Sequence, residues 1–301
     1  MVFKKLTYYL FRVFVALFSI IPFRILYLFS DIIFFFIYDL VGYRKKVVYQ
    51  NLWNSFPEKS PKEINSIARA FYHHLTDISV ESFKAFTMTE QAVVDRFHFK
   101  PSSFLESLYK EGRSAIIVAG HYNNWEWPGI AAGMQMKHKP VGFYKPLTNP
   151  YVDAFVRKCR VQGRSALVSI NDTVAVFKTD WGEPAGFYMI ADQSPASVRL
   201  AYWVSFLNQD TATLHGPEKY ARVYNMPVVY TDIQKISRGN YECEFIVLCE
   251  NPAETKTGEI TARFMKMLED KIREKPQYYL WSHRRWKHKR SGQKSEKMSN
   301  E

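Results

Sequence analysis

The stretch SAIIVAGHYNNWEW, residues 114–127, joins an apolar run to a polar and aromatic cluster. Residues 114–120 are mostly small or aliphatic and end in a glycine, which predicts a buried strand followed by a turn. A histidine, two asparagines, two tryptophans and a glutamate follow within seven positions. Functional groups gather at the carboxyl ends of strands in α/β sheets, so this strand end is a candidate site.

Short apolar runs alternate with helical patterns along the rest of the chain, which predicts an α/β fold with a mixed sheet flanked by helices. Ser60 and Glu63 form a capping box, and the helix that they open is predicted to run to about Ala85. Asn149 and Pro150 open another helix. Further strands are predicted at 140–145, 186–192, 227–233 and 241–248, and further helices at 213–224 and 257–273.

The N-terminal segment is the most apolar part of the chain, because residues 6–41 contain only two arginines and two aspartates as charges. About 20 mostly apolar residues are needed to span a bilayer. Pro22 interrupts the first run, and the second run is short and carries Asp31. We predict that residues 1–42 form a membrane anchor that either spans the bilayer or lies on its surface. A buried helical hairpin of a soluble domain is the alternative.

The remaining chain divides into a catalytic domain, residues 43–290, and a polar tail, residues 291–301, that is predicted to be disordered. Lysines and arginines outnumber aspartates and glutamates by 41 to 29, which favours an anionic partner such as a membrane surface or an acidic carrier. Nucleic acid is also anionic, but the chain matches no nucleic-acid-binding motif, so we expect none to bind. The three cysteines show neither paired spacing nor an even number, which favours a reducing compartment such as the cytoplasm.

His121 and Glu126 are the candidate catalytic residues. Five residues on a continuous helix would place them about 140° apart, so they meet only if the chain turns between them. Residues 122–124 offer that turn, and Asn124 is expected to cap a helix that begins near Trp125. A carboxylate hydrogen-bonded to one imidazole nitrogen would fix the tautomer and support the other nitrogen as a general base. The spacing does not fit the His-Glu-x-x-His zinc motif, and no serine-hydrolase elbow is present.

The residues around His121 resemble a known family. HYNNWEW, residues 121–127, is similar to the His-x4-Asp/Glu motif of glycerolipid-type acyltransferases, and specifically of the late lipid A acyltransferases. The resemblance covers about residues 1–290. It includes, in chain order, YRKKVVYQNL (43–52), YKPLTNPYVDAFVRKCR (144–160), ADQSP (191–195) and PQYYLWSHRRWKHKR (276–290).

This resemblance implies transfer of a fatty acyl group from a thioester of acyl carrier protein or coenzyme A to a hydroxyl of a lipid A precursor, with His121 as the base. It implies no metal and no bound cofactor, and it places the enzyme on the cytoplasmic face of a bacterial inner membrane. Another glycolipid, an aminolipid or a lysophospholipid is the alternative acceptor. A non-catalytic lipid-binding protein is the alternative of a different class.

Further residues are expected to bind the oxyanion or the substrate, namely Arg160, Asp192, Asn124 and Lys145. Arg160 matches the family's arginine and is expected to bind an oxyanion or a phosphate. Asp192 ends a strand, as His121 does, and is expected to hold acceptor hydroxyls or Arg160, or simply to end the strand. Asn124 is expected to cap, or to donate to substrate. Lys145 stands where the family usually has arginine, and Ser194 where the segment is commonly more acidic. The basic and aromatic run 281–290 is predicted to contact lipid head groups.

Overall fold

A computed structural model describes residues 2–161, 163–199 and 201–290 of the 301-residue chain. The predicted disordered tail, residues 291–301, lies outside the described residues. The described part contains a seven-stranded sheet in the order β1-β9-β8-β2-β5-β3-β4 and a separate two-stranded hairpin, β6-β7. The strands are β1 (Phe97–Phe99), β2 (Ala115–Ala119), β3 (Lys139–Tyr144), β4 (Ala166–Ser169), β5 (Ala185–Ile190), β6 (Tyr202–Phe206), β7 (Gln209–Thr213), β8 (Val228–Ser237) and β9 (Asn240–Cys249).

The large sheet is mixed, as predicted. Strands β8, β2, β5, β3 and β4 are parallel, whereas β9 is antiparallel to β8 and pairs in parallel with β1. The flanking helices are α1 (Val2–Ile20), α2 (Phe23–Phe34) with a π-helical extension (Phe35–Leu40), α3 (Lys45–Ser55), α4 (Pro61–Ala85), α5 (Glu90–Val94), α6 (Ser103–Lys110), α7 (Pro128–Gln135), α8 (Pro150–Arg160), α9 (Thr173–Val176), α10 (Gly216–Tyr224) and α11 (Glu259–Glu274).

Local sequence signals set several of these boundaries. The Ser60 and Glu63 capping box forms in both directions, and α4 ends at the predicted Ala85. The Asn149 side chain accepts a hydrogen bond from the backbone N–H of Tyr151 and caps α8. The short strands β1 and β4 and the β6-β7 hairpin were not predicted, because three to five residues carry too little periodicity to be read.

Strand β2 lies at the centre of the sheet, and all five of its residues are buried. Its neighbours β5 and β8 are both parallel to it, and Ala119 is in register with Ile190 at the ends of β2 and β5. His121 and Asp192 each follow two residues after these paired positions. Parallel pairing therefore brings two side chains that are 71 residues apart to the same edge of the sheet.

The N-terminal segment forms two helices that pack on α4 and α8 with one face only. Phe11 contacts Phe155 of α8, Phe14 contacts Phe83 of α4, and Lys84 donates to backbone carbonyls at the end of α1. The outer faces are apolar and exposed; their large side chains are Phe3, Leu6, Tyr9, Leu10, Val13, Phe14, Leu17, Ile20, Ile25, Leu28, Phe29, Ile32, Ile33, Phe35, Phe36, Leu40 and Val41. The segment is therefore not a fully buried hairpin.

Within the described ranges, no single helix is both long enough and apolar enough to cross a bilayer. The helical stretch Phe23–Leu40 and the helix Lys45–Ser55 would meet those requirements only as a pair, and the pair is bent by 84°.

Candidate active site

His121 and Asp192 form a close pair at the carboxyl edge of the sheet. Imidazole Nδ1 lies 2.6 Å from Asp192 Oδ1, and the side chains are 16% and 2% exposed. Our expectation that Glu126 would accept this hydrogen bond is corrected, because Asp192 takes the position. The carboxylate that follows the neighbouring parallel strand thus lies where we expected Glu126 to lie, and an ionised carboxylate there favours the Nδ1–H tautomer.

Each member of the pair favours the charged form of the other. Burial opposes the charged imidazolium most strongly, but the charge of Asp192, its hydrogen bond and the charge of Glu126 together raise the pKa of His121 above 6.5. Burial likewise opposes ionisation of Asp192. The His121 charge and hydrogen bond and the nearby Arg285 outweigh that effect and lower the Asp192 pKa. The pair is therefore electrostatically suited to hold a proton that arrives on the imidazole.

The second imidazole nitrogen is the one that can act as a base. The Gln193 side-chain amide nitrogen lies 3.0 Å from His121 Nε2, and the amide N–H donates to that nitrogen when Asp192 holds the Nδ1–H tautomer. The Trp125 ring packs edge-on against the imidazole, with the ring centroids 5.2 Å apart. A substrate hydroxyl would therefore have to displace the Gln193 amide in order to reach the base.

Glu126 pairs with Arg160 and not with the imidazole. Arg160 Nη2 lies 2.5 Å from Glu126 Oε2, and the two side chains are 34% and 32% exposed. The sequence predicted a helix beginning near Trp125, with Glu126 in its first turn. Helix α7 instead begins at Pro128, so Glu126 lies in the loop before the helix. The carboxylate is still close enough to His121 to raise the imidazole pKa. The structure thus brings His121, Asp192, Glu126 and Arg160 together in one cluster.

Two asparagines hold the loop that carries Glu126. Asn123 has a left-handed φ of 55°, and its side chain donates to Ile233 O at 2.6 Å. Asn124 Oδ1 accepts from the backbone N–H groups of Glu126 and Trp127. Helix α7 begins only at Pro128 and has no side-chain cap, so Asn124 stabilises the loop before the helix, and our expectation that it would cap a helix near Trp125 is corrected. Asn124 is 1% exposed, so its place is in the scaffold of the loop and not on the substrate surface.

Glu81 of α4 supports this loop from beneath. It is fully buried and accepts hydrogen bonds from Asn124 Nδ2 and from the hydroxyl groups of Tyr241 and Tyr27, at 2.8, 2.8 and 2.9 Å. Burial raises the pKa of Glu81 to about 7, against the lowering effect of the two tyrosine hydrogen bonds. Helix α4 is therefore coupled to the loop through one titratable carboxyl group.

Two apolar cavities meet at Arg160. The first has a volume of ≈ 130 Å³ and is lined by Trp125, Glu126, Gly129, Ala132, Pro140, Gly142, Phe143, Arg160, Ser165, Ala166, Leu167, Tyr188 and Ile190. The second has a volume of ≈ 240 Å³ and lies under the N-terminal helices; its lining includes Phe11, Phe83, Phe86, Lys145 and Arg160. Lys145 is exposed and lies at the second cavity, away from the His121 and Asp192 contact.

The C-terminal run is more buried than we expected for a lipid-contacting segment. Trp281 and Arg285 are 0% and 2% exposed, and Trp286 packs on Phe206 while its indole N–H donates to Thr211. Arg285 donates to Ala212 O, but its Nε and Nη2 atoms have no hydrogen-bond partner among the described residues. The Arg285 charge instead helps to keep Asp192 ionised.

Asp31, His73 and Asp77 form a cluster with potential metal ligands within 4.8 Å of one another. Arg238 already pairs with both carboxylates, at 2.6 Å in each case, and Lys235 lies 3.3 Å from Asp77. The cluster is therefore an ion-pair network that ties α2 to α4 and β8, and its chemistry does not favour a cation.

The chain was then compared with known proteins. The family model described as bacterial lipid A biosynthesis acyltransferase matches residues 2–288. The chain belongs to this family. It is an acyltransferase, as the resemblance implied. It is similar to the lipid A biosynthesis palmitoleoyltransferase of Escherichia coli strain K12, with 23% identity over 256 residues that cover 84% of this chain and 81% of the relative. It is also similar to the lauroyltransferase of the same strain, with 24% identity over 255 residues that cover 83% and 81%.

Three residues of this acyltransferase site were missed by sequence reasoning. Gln193 follows the predicted Asp192 directly, so its position at a strand end was the signal that could have found it. Glu81 is one of two acids, with Asp77, on the buried side of the amphipathic helix α4, which is a signal for paired polar groups. Arg285 lies within a run of cations, and only tertiary packing separates it from its exposed neighbours.

Proposed function

We propose that the acyltransferase moves a fatty acyl group from the thioester of an acyl carrier protein or acyl-coenzyme A to a hydroxyl of a lipid A precursor, at the cytoplasmic face of a bacterial inner membrane. The observation that carries the proposal is the His121 and Asp192 pair, together with a Glu126 and Arg160 ion pair that lines an apolar cavity and whose carboxylate is close enough to raise the pKa of His121. Membership of the lipid A family supports the acceptor class.

The reaction begins when the acceptor hydroxyl replaces the Gln193 amide at His121 Nε2. The imidazole removes the hydroxyl proton while the oxygen attacks the thioester carbonyl, and Asp192 stabilises the imidazolium that forms. Collapse of the tetrahedral intermediate breaks the carbon–sulfur bond, and the departing thiolate takes the proton from the imidazolium. The new ester and the free thiol leave the enzyme in its starting protonation state.

Arg160 is positioned to stabilise the tetrahedral oxyanion. It lies at the junction of the two apolar cavities, and its partial exposure leaves guanidinium donors available to a ligand. Glu126 holds the guanidinium and adds negative charge near the imidazole. We therefore assign Glu126 to orienting Arg160 and supporting the charge of His121, with Asp192 as the direct partner of the base.

The apolar cavities fit the two hydrocarbon parts of the reaction. The ≈ 130 Å³ cavity runs from Trp125 and Glu126 between α7 and strands β3 and β5, so it suits the acyl chain of the donor. The ≈ 240 Å³ cavity opens under the N-terminal helices, next to the surface that we assign to the membrane, and it suits an acyl chain of the acceptor.

The exposed apolar faces of α1 and α2 are assigned to the bilayer. Lys4, Lys5, Lys45 and Lys46 flank this segment, and cations next to apolar faces suit an anionic membrane surface. One face of each helix is already held by α4 and α8, so we propose that the anchor lies on the membrane and does not cross it.

The test is mass spectrometry of lipids from a deletion strain that carries the wild-type gene, His121→Ala or Asp192→Asn. We expect lipid A in the deletion strain to lack one acyl chain and only the wild type to restore it. Restoration by His121→Ala would refute the mechanism. If lipid A is unchanged but another lipid loses an acyl chain, the chemistry stands and the acceptor is a different glycolipid, an aminolipid or a lysophospholipid. Purified enzyme supplied with each donor in turn would distinguish the carrier protein from coenzyme A.

A further inference from the structure

A polar groove of ≈ 1170 Å³ lies between α3, the β6-β7 turn and the C-terminal run. It is lined by Lys46, Val47, Gln50, Asn51, Asn54, Asn208, Gln209, Asp210, Arg284, Trp286, Lys287, His288, Lys289 and Arg290. None of these residues takes part in the chemistry proposed above. The groove is therefore a surface whose function the proposed chemistry does not explain.

The groove has a strong excess of positive charge. Five of its lining residues are lysine or arginine, and Asp210 is its only acid. Within the part of the chain that the structure describes, none of the five cations forms an ion pair with a carboxylate. Cations gathered in a concavity without partners attract an anion, and both lysine and arginine form strong charge-assisted hydrogen bonds with phosphate.

Amide side chains build the walls of the groove. Asn51 donates to Trp281 O and His283 O, at 2.8 and 3.0 Å, and so fastens the C-terminal run to α3. Asn208 donates to Ser55 O at 3.0 Å, and Asn54 donates to Gln209 at 3.2 Å, which fasten the β6-β7 turn to the same helix. The cations therefore stand on a connected scaffold, which limits the entropy lost when a ligand binds.

The same C-terminal run connects the groove to His121. The backbone N–H of Ser194, next to Gln193, donates to His283 Nε2 at 3.2 Å, and His288 Nε2 lies 2.9 Å from Pro195 O. Burial lowers the pKa of His283, which keeps its ring neutral and able to accept that bond. A ligand held in the groove thus lies against the segment that packs on the Gln193 loop.

We propose that this groove binds the phosphate-bearing polar head group of the acceptor lipid and so delivers the acceptor hydroxyl to His121. The proposal rests on the proposed function and adds a site for one part of the substrate. The lysines and arginines would hold the phosphate, and the Gln50 side chain and the asparagine side-chain oxygens, which the scaffold bonds do not use, suit hydroxyl groups of a sugar. Phosphate monoesters on the acceptor would therefore raise affinity without changing the chemical step.

A carrier protein is the less suitable occupant. Protein interfaces are broad surfaces with an apolar centre, whereas this site is a concave groove in which Val47 and Trp286 are the only apolar lining residues. Its volume is close to that of small-molecule sites, which are about 300–1,000 Å³. The polar lining also excludes an acyl chain.

The test compares the double variant Lys287→Ala/Lys289→Ala with the wild type and with a matched control, Lys178→Ala/Lys256→Ala, which removes two exposed lysines outside the groove. Initial rates are measured in detergent micelles with a phosphorylated glycolipid acceptor and with the same acceptor after phosphatase treatment. We expect KM for the phosphorylated acceptor to rise about tenfold in the groove variant with kcat within about twofold, because uniform binding is lost. The control variant and the dephosphorylated acceptor should show no such change.

Several results would overturn the proposal. Equal KM values for the two acceptors in the wild type would show that the groove does not recognise the acceptor phosphate. A raised KM for the acylated carrier protein, without a change for acyl-coenzyme A or for the acceptor, would assign the groove to the carrier. Loss of binding to cardiolipin vesicles with unchanged acceptor KM would assign it to the bilayer.

A second measurement does not depend on catalysis. NMR titration of the wild type with glucose 1-phosphate, with inorganic phosphate and with glucose should show binding of the two phosphates, stronger for the sugar phosphate, and loss of both in the groove variant. Equal affinity for inorganic phosphate and the sugar phosphate would mean that the site recognises a free anion. A wild-type protein that binds neither phosphate refutes the groove proposal even if acyl transfer is observed. Binding of the sugar phosphate without any acyl transfer would instead refute the proposed function and leave the groove intact.

Discussion

Replacing Asp192 by Asn tests which carboxylate supports the base. Asp192 is 2% exposed and lies 2.6 Å from Nδ1, so the substitution removes a buried, charge-assisted hydrogen bond. Breaking a buried pair of this kind costs about 3–5 kcal/mol. If that loss falls on the transition state, in which the imidazole is charged, kcat/KM falls about 10²- to 10⁴-fold at 1.36 kcal/mol per factor of ten.

The pH profile of this variant provides a second, independent readout. His121 must be neutral to act as a base, so wild-type kcat/KM falls as pH drops through a His121 pKa that lies above 6.5. The Asp192 charge is the largest influence that raises the pKa of His121, and Asp192→Asn removes it. Burial, which lowers that pKa, then dominates, so the pKa of His121 falls and the acid limb of kcat/KM moves to lower pH.

The assay is the rate of acyl transfer from a radiolabelled thioester between pH 5 and 9, with thermal unfolding as the control for folding. Glu126→Gln is the matched variant. Because Glu126 pairs with Arg160, this variant should lose about ten- to hundredfold in kcat with a smaller shift of the acid limb. The reasoning is refuted if Asp192→Asn keeps activity within about threefold of the wild type while Glu126→Gln loses the activity and moves the acid limb. That result would restore the pairing that the sequence predicted.

Three further predictions follow from the surroundings of the pair. Because the pKa of Glu81 is raised from 4.5 to about 7, the stability that this one group contributes is fully present below pH 4.5 and falls by roughly 3 kcal/mol as pH rises to 7; Glu81→Gln should remove this part of the pH dependence in urea unfolding, and an unchanged pH dependence would contradict it. Gln193→Ala should raise hydrolysis of the donor thioester without acceptor about tenfold, since the lost hydrogen bond exposes Nε2 to water; adding His121→Ala should abolish the increase, and hydrolysis at the wild-type rate would contradict the role. Gly129 lines the ≈ 130 Å³ cavity, and a Cβ added there would meet nothing within 4 Å. Gly129→Leu should therefore fold and shift the preferred donor to shorter acyl chains, with Gly129→Ala as the control. An unchanged chain-length profile would assign the donor chain to the other cavity.

Local signals in the sequence determined most of the elements that frame the site. The capping box at Ser60 and the asparagine before Pro150 act over a few residues, so both helix starts were predicted correctly. The apolar run before His121 predicted a buried strand, and the structure places β2 at the centre of the sheet. Each of these features depends on hydrogen bonds or burial within one short segment, which is why the sequence alone reveals it.

Only the tertiary structure decided which residues meet. Glu126 was paired with His121 because it is five residues away, yet strand pairing brings Asp192 from 71 residues away to a shorter distance. The loop before α7 turns Glu126 towards Arg160, and packing buries Arg285 while Lys287 and Lys289 remain exposed at the groove. Short-range patterns in the chain were enough to predict the family and the buried strand end, and to propose His121 as the base. The partner of that base depended on the order and register of parallel strands, which are set by contacts between distant segments and leave no periodic trace in the chain.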